Sequence, residues 1–283
     1  VKRNLILTNT TDIYAVLGDP IGHSLSPLIF NTAFEILNLN CLYLAFRVKK
    51  GEVKNALTAA KQFGLKGLSI TMPLKEEITS YLNLSDTARK LKSVNVVSLE
   101  NMFGTSTDGE GFCQWFKSEI GSAPKDFKFL IFGTGGAARA VGYALFKENA
   151  KVYFYGRDLE KVNQCYLLIE SKMPQELSLS DLLKEIDFFI NATPIGMANT
   201  SYQNESPLKE SQLTKGFSII DLIYHPLITP LGKMAKQKNI DFYNGVGMLV
   251  YQAKVAFEIF FNQSFPTDAV SQAITDHLNG LRI

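Results

Sequence analysis

Residues 127–145 read FKFLIFGTGGAARAVGYAL, and no other stretch restricts the fold as much. A short apolar run, FLIF, ends in Gly133-Thr134-Gly135-Gly136-Ala137-Ala138-Arg139, and a helix-like pattern follows. That is a strand, a glycine turn and a helix start. Gly133 permits the tight turn, Gly135 lets the backbone approach a pyrophosphate, and Ala138 is small where helix must pack on strand. The N–H groups from Thr134 through Gly136 and Ala137, with the helix dipole behind them, would face phosphates. The next strand, KVYFY, ends in Gly156-Arg157-Asp158, with Lys161 close behind. The residue after that second strand usually meets the adenosine ribose, and a guanidinium there suits the 2′-phosphate of NADP. Asp158 leaves three readings open: it could repel that phosphate, accept a ribose hydroxyl of NAD, or cap the next helix. Arg157 and Lys161 together favour NADP. Because the turn lies beyond residue 130, a whole domain precedes it.

The 283 residues suffice for two ordinary domains. With 46% hydrophobic and 20% charged residues, the balance is that of a soluble globular chain. The net charge of 29 − 27 = +2 gives no support for a nucleic-acid or membrane-surface partner. Cys41, Cys113 and Cys165 are odd in number and far apart, with no Cys/His spacing for zinc, so neither disulfides nor a metal site is expected. The segment VKRNLILTNTTD lacks the apolar core of a signal peptide, and no apolar run reaches membrane-spanning length. The expectation is a cytoplasmic protein.

Strand and helix patterns alternate along the first half. Strands are expected at 13–17, 42–48, 68–71 and 94–99, and helices at 27–37, 53–63 and 75–82. Such short units argue for a βαβ-built, mostly parallel sheet. A helix follows Gly109 and leads to the GSAPKD linker. The second half repeats the alternation, with strands at 127–132, 151–155, 188–191 and 217–221 and helices at 137–146, 159–169 and 229–236. Two tail helices, 247–261 and 267–278, are not needed to complete the second sheet and are expected to pack on the first domain. The fold class is therefore α/β: an N-terminal mostly parallel substrate domain, residues 1–110 and 246–283, beside a Rossmann-like dinucleotide-binding domain, residues 111–245.

Polar residues stand at strand ends of the first half, where parallel sheets place ligands. Ser24 and Ser26, in GHSLSP, could grip a carboxylate, or Ser26 could simply cap the helix that Pro27 begins. Thr71 and Lys75 lie in SITMPLK; a lone lysine is ordinarily a solvated surface charge. Asn95 interrupts the apolar run SVNVV, where a structural hydrogen bond is the plain alternative to ligand binding. Asp108, in STDGEG, could be a turn or capping residue.

Taken in order, these segments form a pattern. GDPIGHSLSP (18–27), TMPLK (71–75), SVN (93–95), TDG (107–109), GTGGAAR (133–139), NATPIGM (191–197), DLIYHPLITPL (221–231) and GVGMLVYQA (245–253) run through nearly the whole chain. The chain resembles the shikimate dehydrogenase family in this ordered set, although each motif alone is weak. The resemblance implies NADP-linked reduction of 3-dehydroshikimate to shikimate. It implies that Ser24 and Ser26 hold the substrate carboxylate, with Tyr224 near it, that Thr71 contacts substrate, and that Asn95 and Gln252 bind ring hydroxyls. Lys75 and Asp108 would flank the reacting hydroxyl, with Lys75 passing the proton. Asp86 would lie on the cofactor side, and Gly245 and the backbone at Leu222 would approach the nicotinamide. The chain departs from the family pattern at Ser69 and Ser106, where Asn is usual, and in the adenosine loop, where Gly156-Arg157-Asp158 stands for the frequent Asn-Arg-Ser/Thr and Lys161 is the following basic residue.

The rival readings are a quinate or NAD-using enzyme and a noncatalytic dinucleotide-sensing module. The module is disfavoured because Lys75 and Asp108 are both intact. The expected partners are a small-molecule substrate and NADP, with no nucleic acid or membrane, in a monomer or homodimer whose two domains face one another across a cleft.

Overall fold

A computed structural model describes residues 7–174 and 178–280, so the first six residues of the N-terminal segment read above lie outside it. The chain divides into two compact units. One runs to Thr107 and resumes over Gln252–His277; the other is Asp108–Tyr251 with the end of the last helix from Leu278.

In the first unit, β1 (Asp12–Gly18), β2 (Cys41–Arg47) and β3 (Gly67–Ile70) are parallel, joined through α1 (Ser26–Ile36) and α2 (Val53–Gln62). Then come β4 (Asn83–Leu84), α3 (Asp86–Leu91), β5 (Val96–Ser98) and β6 (Phe103–Thr105). The sheet order is β2-β1-β3-β5-β6-β4. Three of its five pairings are parallel, and β5 is antiparallel to both neighbours. The β5–β6 hairpin turns through Met102 at φ 53. β4 and β6 have two and three residues, too few to show a period-2 pattern in sequence.

The helix expected over 75–82 is absent. Lys75 lies on a turn, followed by one 3₁₀ segment, Glu77–Tyr81. Only Leu74 and Ile78 are buried here, so no apolar stripe is available to hold an α-helix on the sheet.

The second unit begins with α4 (Asp108–Ile120). β7 (Lys128–Phe132), α5 (Gly136–Lys147), β8 (Lys151–Tyr155), α6 (Leu159–Leu168) and α7 (Leu179–Glu185) follow. β9 (Phe188–Asn191), β10 (Ser218–Asp221), α8 (Pro230–Gln237) and β11 (Phe242–Tyr243) complete its sheet. The order is β11-β10-β9-β7-β8, parallel throughout, so the winding reverses between β7 and β9. β7 and β9 are covered on both faces, which is why they read as unbroken apolar runs. Neither α7 nor β11 is among the elements expected from the sequence pattern.

The tail forms α9 (Val246–Phe261) and α10 (Thr267–Gly280). α9 packs on the first unit: Phe257, Phe260 and Phe261 meet Tyr14, Phe30 and Phe34, and the Phe260 ring fills the space where Gly67 has no side chain. The first turn of α9 belongs to the second unit, where Gly247 lies against the Trp115 indole.

Candidate active site

The first unit gathers its polar residues at one end of its sheet. β1 and β3 run toward that end, and β5, being antiparallel to β3, begins there. Gly18 closes β1 against Thr71 and the Met72 carbonyl, and the backbone bonds Thr71 N to Leu17 O (2.9 Å) and Asp19 N to Met72 O (3.0 Å) lock the two strand-end loops together. Ser24 and Ser26 follow on the first of these loops. The capping alternative for Ser26 is not what forms: Leu25 is the N-cap, without a side-chain bond, and Ser26 is already helical. Ser24 Oγ accepts a long bond from Ser26 N, 3.4 Å. Both hydroxyls stand half-buried at the start of α1.

Lys75 is held on both sides. The neighbouring Leu74 is fully buried in the core, and the Lys75 carbonyl accepts from Val94 N at 2.8 Å. That bond sets Lys75 beside the start of the segment carrying Asn95. Asn95 precedes β5 rather than interrupting it, and only 4% of it is exposed. Its Oδ1 accepts from Thr107 N at 2.8 Å, and its Nδ2 donates to Thr107 Oγ1 at 3.0 Å and to Gln252 Oε1 at 3.3 Å. Thr107 Oγ1 donates in turn to the Gln252 carbonyl at 3.0 Å. Asn95 and Thr107, both buried, and the partly buried Gln252 thus form one polar cluster, though Gln252 is 157 residues from Asn95. Thr107 was not singled out in sequence; a threonine between Ser106 and Asp108 carries no periodic signal. Where the family usually has Asn, Ser69 receives a 2.6 Å bond from the buried Tyr43 hydroxyl.

Asp108 opens α4 in the second unit and is buried. Behind it, Gly109 lies directly against the Ala140 carbonyl of α5, an approach that only glycine allows. Asp86 does not join the cluster. It opens α3 on the surface and pairs with Arg89 at 3.0 Å.

In the second unit, the glycine turn fits a dinucleotide phosphate. Gly133 has φ +127, and a Cβ there would meet the Ala192 carbonyl at 2.9 Å and Thr193 at 3.1 Å. Gly135 and Gly136 face open space, and no side chain caps the start of α5. The turn therefore sits at the reversal of strand order, where open α/β sheets bind ligands, with helix N–H groups available to an anion. Thr134 and Ala137 lie in the same turn, and Gly156 at the end of β8 rests against Thr134. After β8, Asp158 caps α6 by accepting from Lys161 N at 3.2 Å and pairs with the Lys161 ammonium at 3.4 Å. These bonds hold its carboxyl below the usual range. Capping is the reading of Asp158 that forms, and Arg157 makes no ion pair among the described residues. Gly245 fits directly under the Leu222 carbonyl, and its N–H bonds Ile223 O at 2.9 Å. Tyr224 follows on that loop, partly buried, its phenol pushed up by burial.

Asn191 and Asp221 are polar groups that the sequence reading left without a role. Asp221 is fully buried, and burial pushes its carboxyl up to about 6, although donors from Thr229, Ile223 and Asn191 pull it back. A folded carboxyl that holds its proton more tightly than the unfolded one stabilises in acid and loses that contribution as pH rises through its folded pKa. Compared with Asp221→Asn, the protein is expected to lose about 2–3 kcal/mol of unfolding free energy between roughly pH 4 and 7. Denaturant unfolding of both forms across that range checks this; a flat difference contradicts it.

Among the described residues no group of His, Cys, Asp or Glu could hold a metal, and no helix is long and apolar enough to cross a membrane. The shikimate dehydrogenase substrate binding domain family matches residues 16–97, and the shikimate 5′-dehydrogenase C-terminal domain family matches residues 245–275. A shikimate dehydrogenase (NADP(+)) of Methanococcoides burtonii is 35% identical over 94% of the chain and 98% of its own length. A shikimate dehydrogenase solved in complex with NADP+ superposes with a TM-score of 0.90, at 34% identity, covering 96% of this chain and 98% of that one. A shikimate 5-dehydrogenase from Thermus thermophilus, solved with NADP(H) and shikimate, gives 0.85 at 28% identity over 94% and 99%.

Proposed function

The chain belongs to the shikimate dehydrogenase family, and we propose that it reversibly reduces 3-dehydroshikimate to shikimate with NADPH, within chorismate and aromatic amino-acid biosynthesis. The observation that carries this reading is the Asn95–Thr107–Gln252 cluster at the sheet end where Lys75 is anchored. Such a cluster offers fixed donors and acceptors to the hydroxyls of a small polyol. Ser24 and Ser26 would hold its carboxylate and Thr71 would contact it, and the family resemblance assigns Tyr224 of the second unit to the same carboxylate. When bound, NADPH would supply the hydride for the ketone carbon. Lys75 as ammonium gives the proton that the new alkoxide requires, and as amine takes it back in the reverse direction. The family resemblance assigns Asp108 of the second unit to the same reacting oxygen.

The glycine turn, Gly133 through Ala137, would hold the pyrophosphate, with Gly156 leaving room for the adenosine. Arg157 would take the 2′-phosphate, with Lys161 as a secondary charge, while Asp158 is occupied at its helix start. Leu222 and Gly245 would border the nicotinamide, and Asp86 would contribute from the cofactor side. The protein would work in the cytoplasm as a monomer or homodimer.

Initial rates with shikimate and quinate, each against NADP and NAD, test the reading. Shikimate with NADP should give the highest kcat/KM, and Arg157→Ala should raise the KM for NADP about tenfold or more, with little effect on NAD. A preference for NAD or for quinate would install those alternatives, and no turnover with any pair would leave a dinucleotide-sensing module.

A further inference from the structure

Asn191 and Asp221 end the neighbouring strands β9 and β10 in direct register, and both are fully buried. The Asp221 carboxylate reaches both loops that leave these strands. Toward the first loop, Asn191 Nδ2 donates to Asp221 Oδ1 at 3.0 Å and to the Ile195 carbonyl at 3.2 Å. That orientation leaves Asn191 Oδ1 to accept from Thr193 N at 3.1 Å and from the Thr193 hydroxyl at 2.7 Å. Toward the second loop, Ile223 N donates to Asp221 Oδ1 at 3.2 Å and the Thr229 hydroxyl to Oδ2 at 2.8 Å. The Thr229 oxygen also receives Gly232 N at 3.2 Å, capping α8.

The first of these loops borders the reversal of strand order, and the second lies against the segment that leads into α9. Ala192 and Thr193 face Gly133, and Leu222 lies on Gly245. Three donors converge on one side chain that has acceptors only, and no lysine or arginine pairs with it among the described residues. A buried, uncompensated carboxylate is a poor device for stability and a good one for enforcing a single arrangement of donors.

We propose that Asp221 is a positioning residue for dinucleotide binding, holding the loops after β9 and β10 in the arrangement that shapes the crevice between β7 and β9. This rests on the NADP reading above. It acts through Asn191, Thr193 and the Leu222–Ile223 backbone, without touching the cofactor itself.

The test is titration of NADP, in the absence of substrate, against wild type, Asp221→Ala and Asp221→Asn, with folding checked by circular dichroism. The titration is run at a temperature where circular dichroism shows each variant almost fully folded; there reversible unfolding barely changes the apparent dissociation constant, so a purely stabilising role would leave it unmoved. Asp221→Ala is expected to weaken NADP about 10- to 100-fold, the cost of misplacing groups by about an ångström. Asp221→Asn can keep an oxygen toward Asn191 and Ile223 and donate to Thr229, so it should recover most of the affinity, to within about threefold of wild type. An Asp221→Ala protein that melts lower but binds NADP within about twofold of wild type overturns the proposal. If that variant does not fold, Asn191→Ala decides, because it breaks the link from Asp221 to Thr193: weakening of about tenfold or more supports the proposal and a constant within about twofold of wild type overturns it. Failure of wild type to bind NADP would overturn the functional reading first, and this one with it.

Discussion

Lys75→Ala is expected to lower kcat by roughly 10²–10⁴-fold, the usual worth of a positioned acid–base group. The size of the effect follows from how Lys75 is held. A surface lysine on a free loop could be lost with little consequence, but this one sits between a fully buried Leu74 and a carbonyl bonded to Val94 N. Its backbone is fixed next to the Asn95 cluster, so the side chain starts from a defined origin. Removing the side chain leaves those backbone bonds in place, so the fold and NADP binding should be retained. The loss should fall on kcat in both directions, because the same group gives the proton in reduction and takes it in oxidation. Steady-state rates both ways, with the melting temperature as a control, measure this. A kcat within a few-fold of wild type would reduce Lys75 to a substrate-orienting role.

Gly133→Ala is expected to weaken NADP binding by about 10²-fold, equivalent to about 2.7 kcal/mol. Two independent costs meet at this position. Its φ of +127 is strained for any residue with a Cβ, at about 1–3 kcal/mol. The added carbon would also meet the Ala192 carbonyl at 2.9 Å and Thr193 at 3.1 Å, so the end of β7 must move away from β9. The movement would open the crevice where the phosphates are to be gripped. A lower melting temperature should accompany the loss. NADP titration is the deciding measurement, and binding within a few-fold of wild type would place the pyrophosphate elsewhere.

The contrast between Gly133 and Asp158 shows how far sequence reaches. Gly133 was legible because its requirement is local: a strand must turn sharply into a helix, and the glycines mark that turn wherever it occurs. Asp158 left three readings because each depends on where its carboxylate points. The backbone of α6 decides, since the Lys161 N–H stands 3.2 Å away and captures it. The place of Lys75 just after a strand was legible, but the helix expected to start there does not form, because the burial of only Leu74 and Ile78 could not be read from an apolar count. Ser26 went the other way: its capping role looked ordinary in sequence, yet Leu25 holds the N-cap position.

The sequence by itself determined the alternation of strands and helices, the parallel sheet of the second unit and its glycine turn. Each follows from interactions within a few residues or from the burial of whole strands. Only the tertiary structure decided that β5 returns antiparallel, bringing Asn95 to the sheet end where β3 delivers Thr71. It also decided that Gln252 meets Asn95, and that Asn191 and Asp221 stand in register. Register and long-range pairing depend on which buried polar groups can satisfy one another once the apolar faces have closed, and one-dimensional patterns do not carry that information.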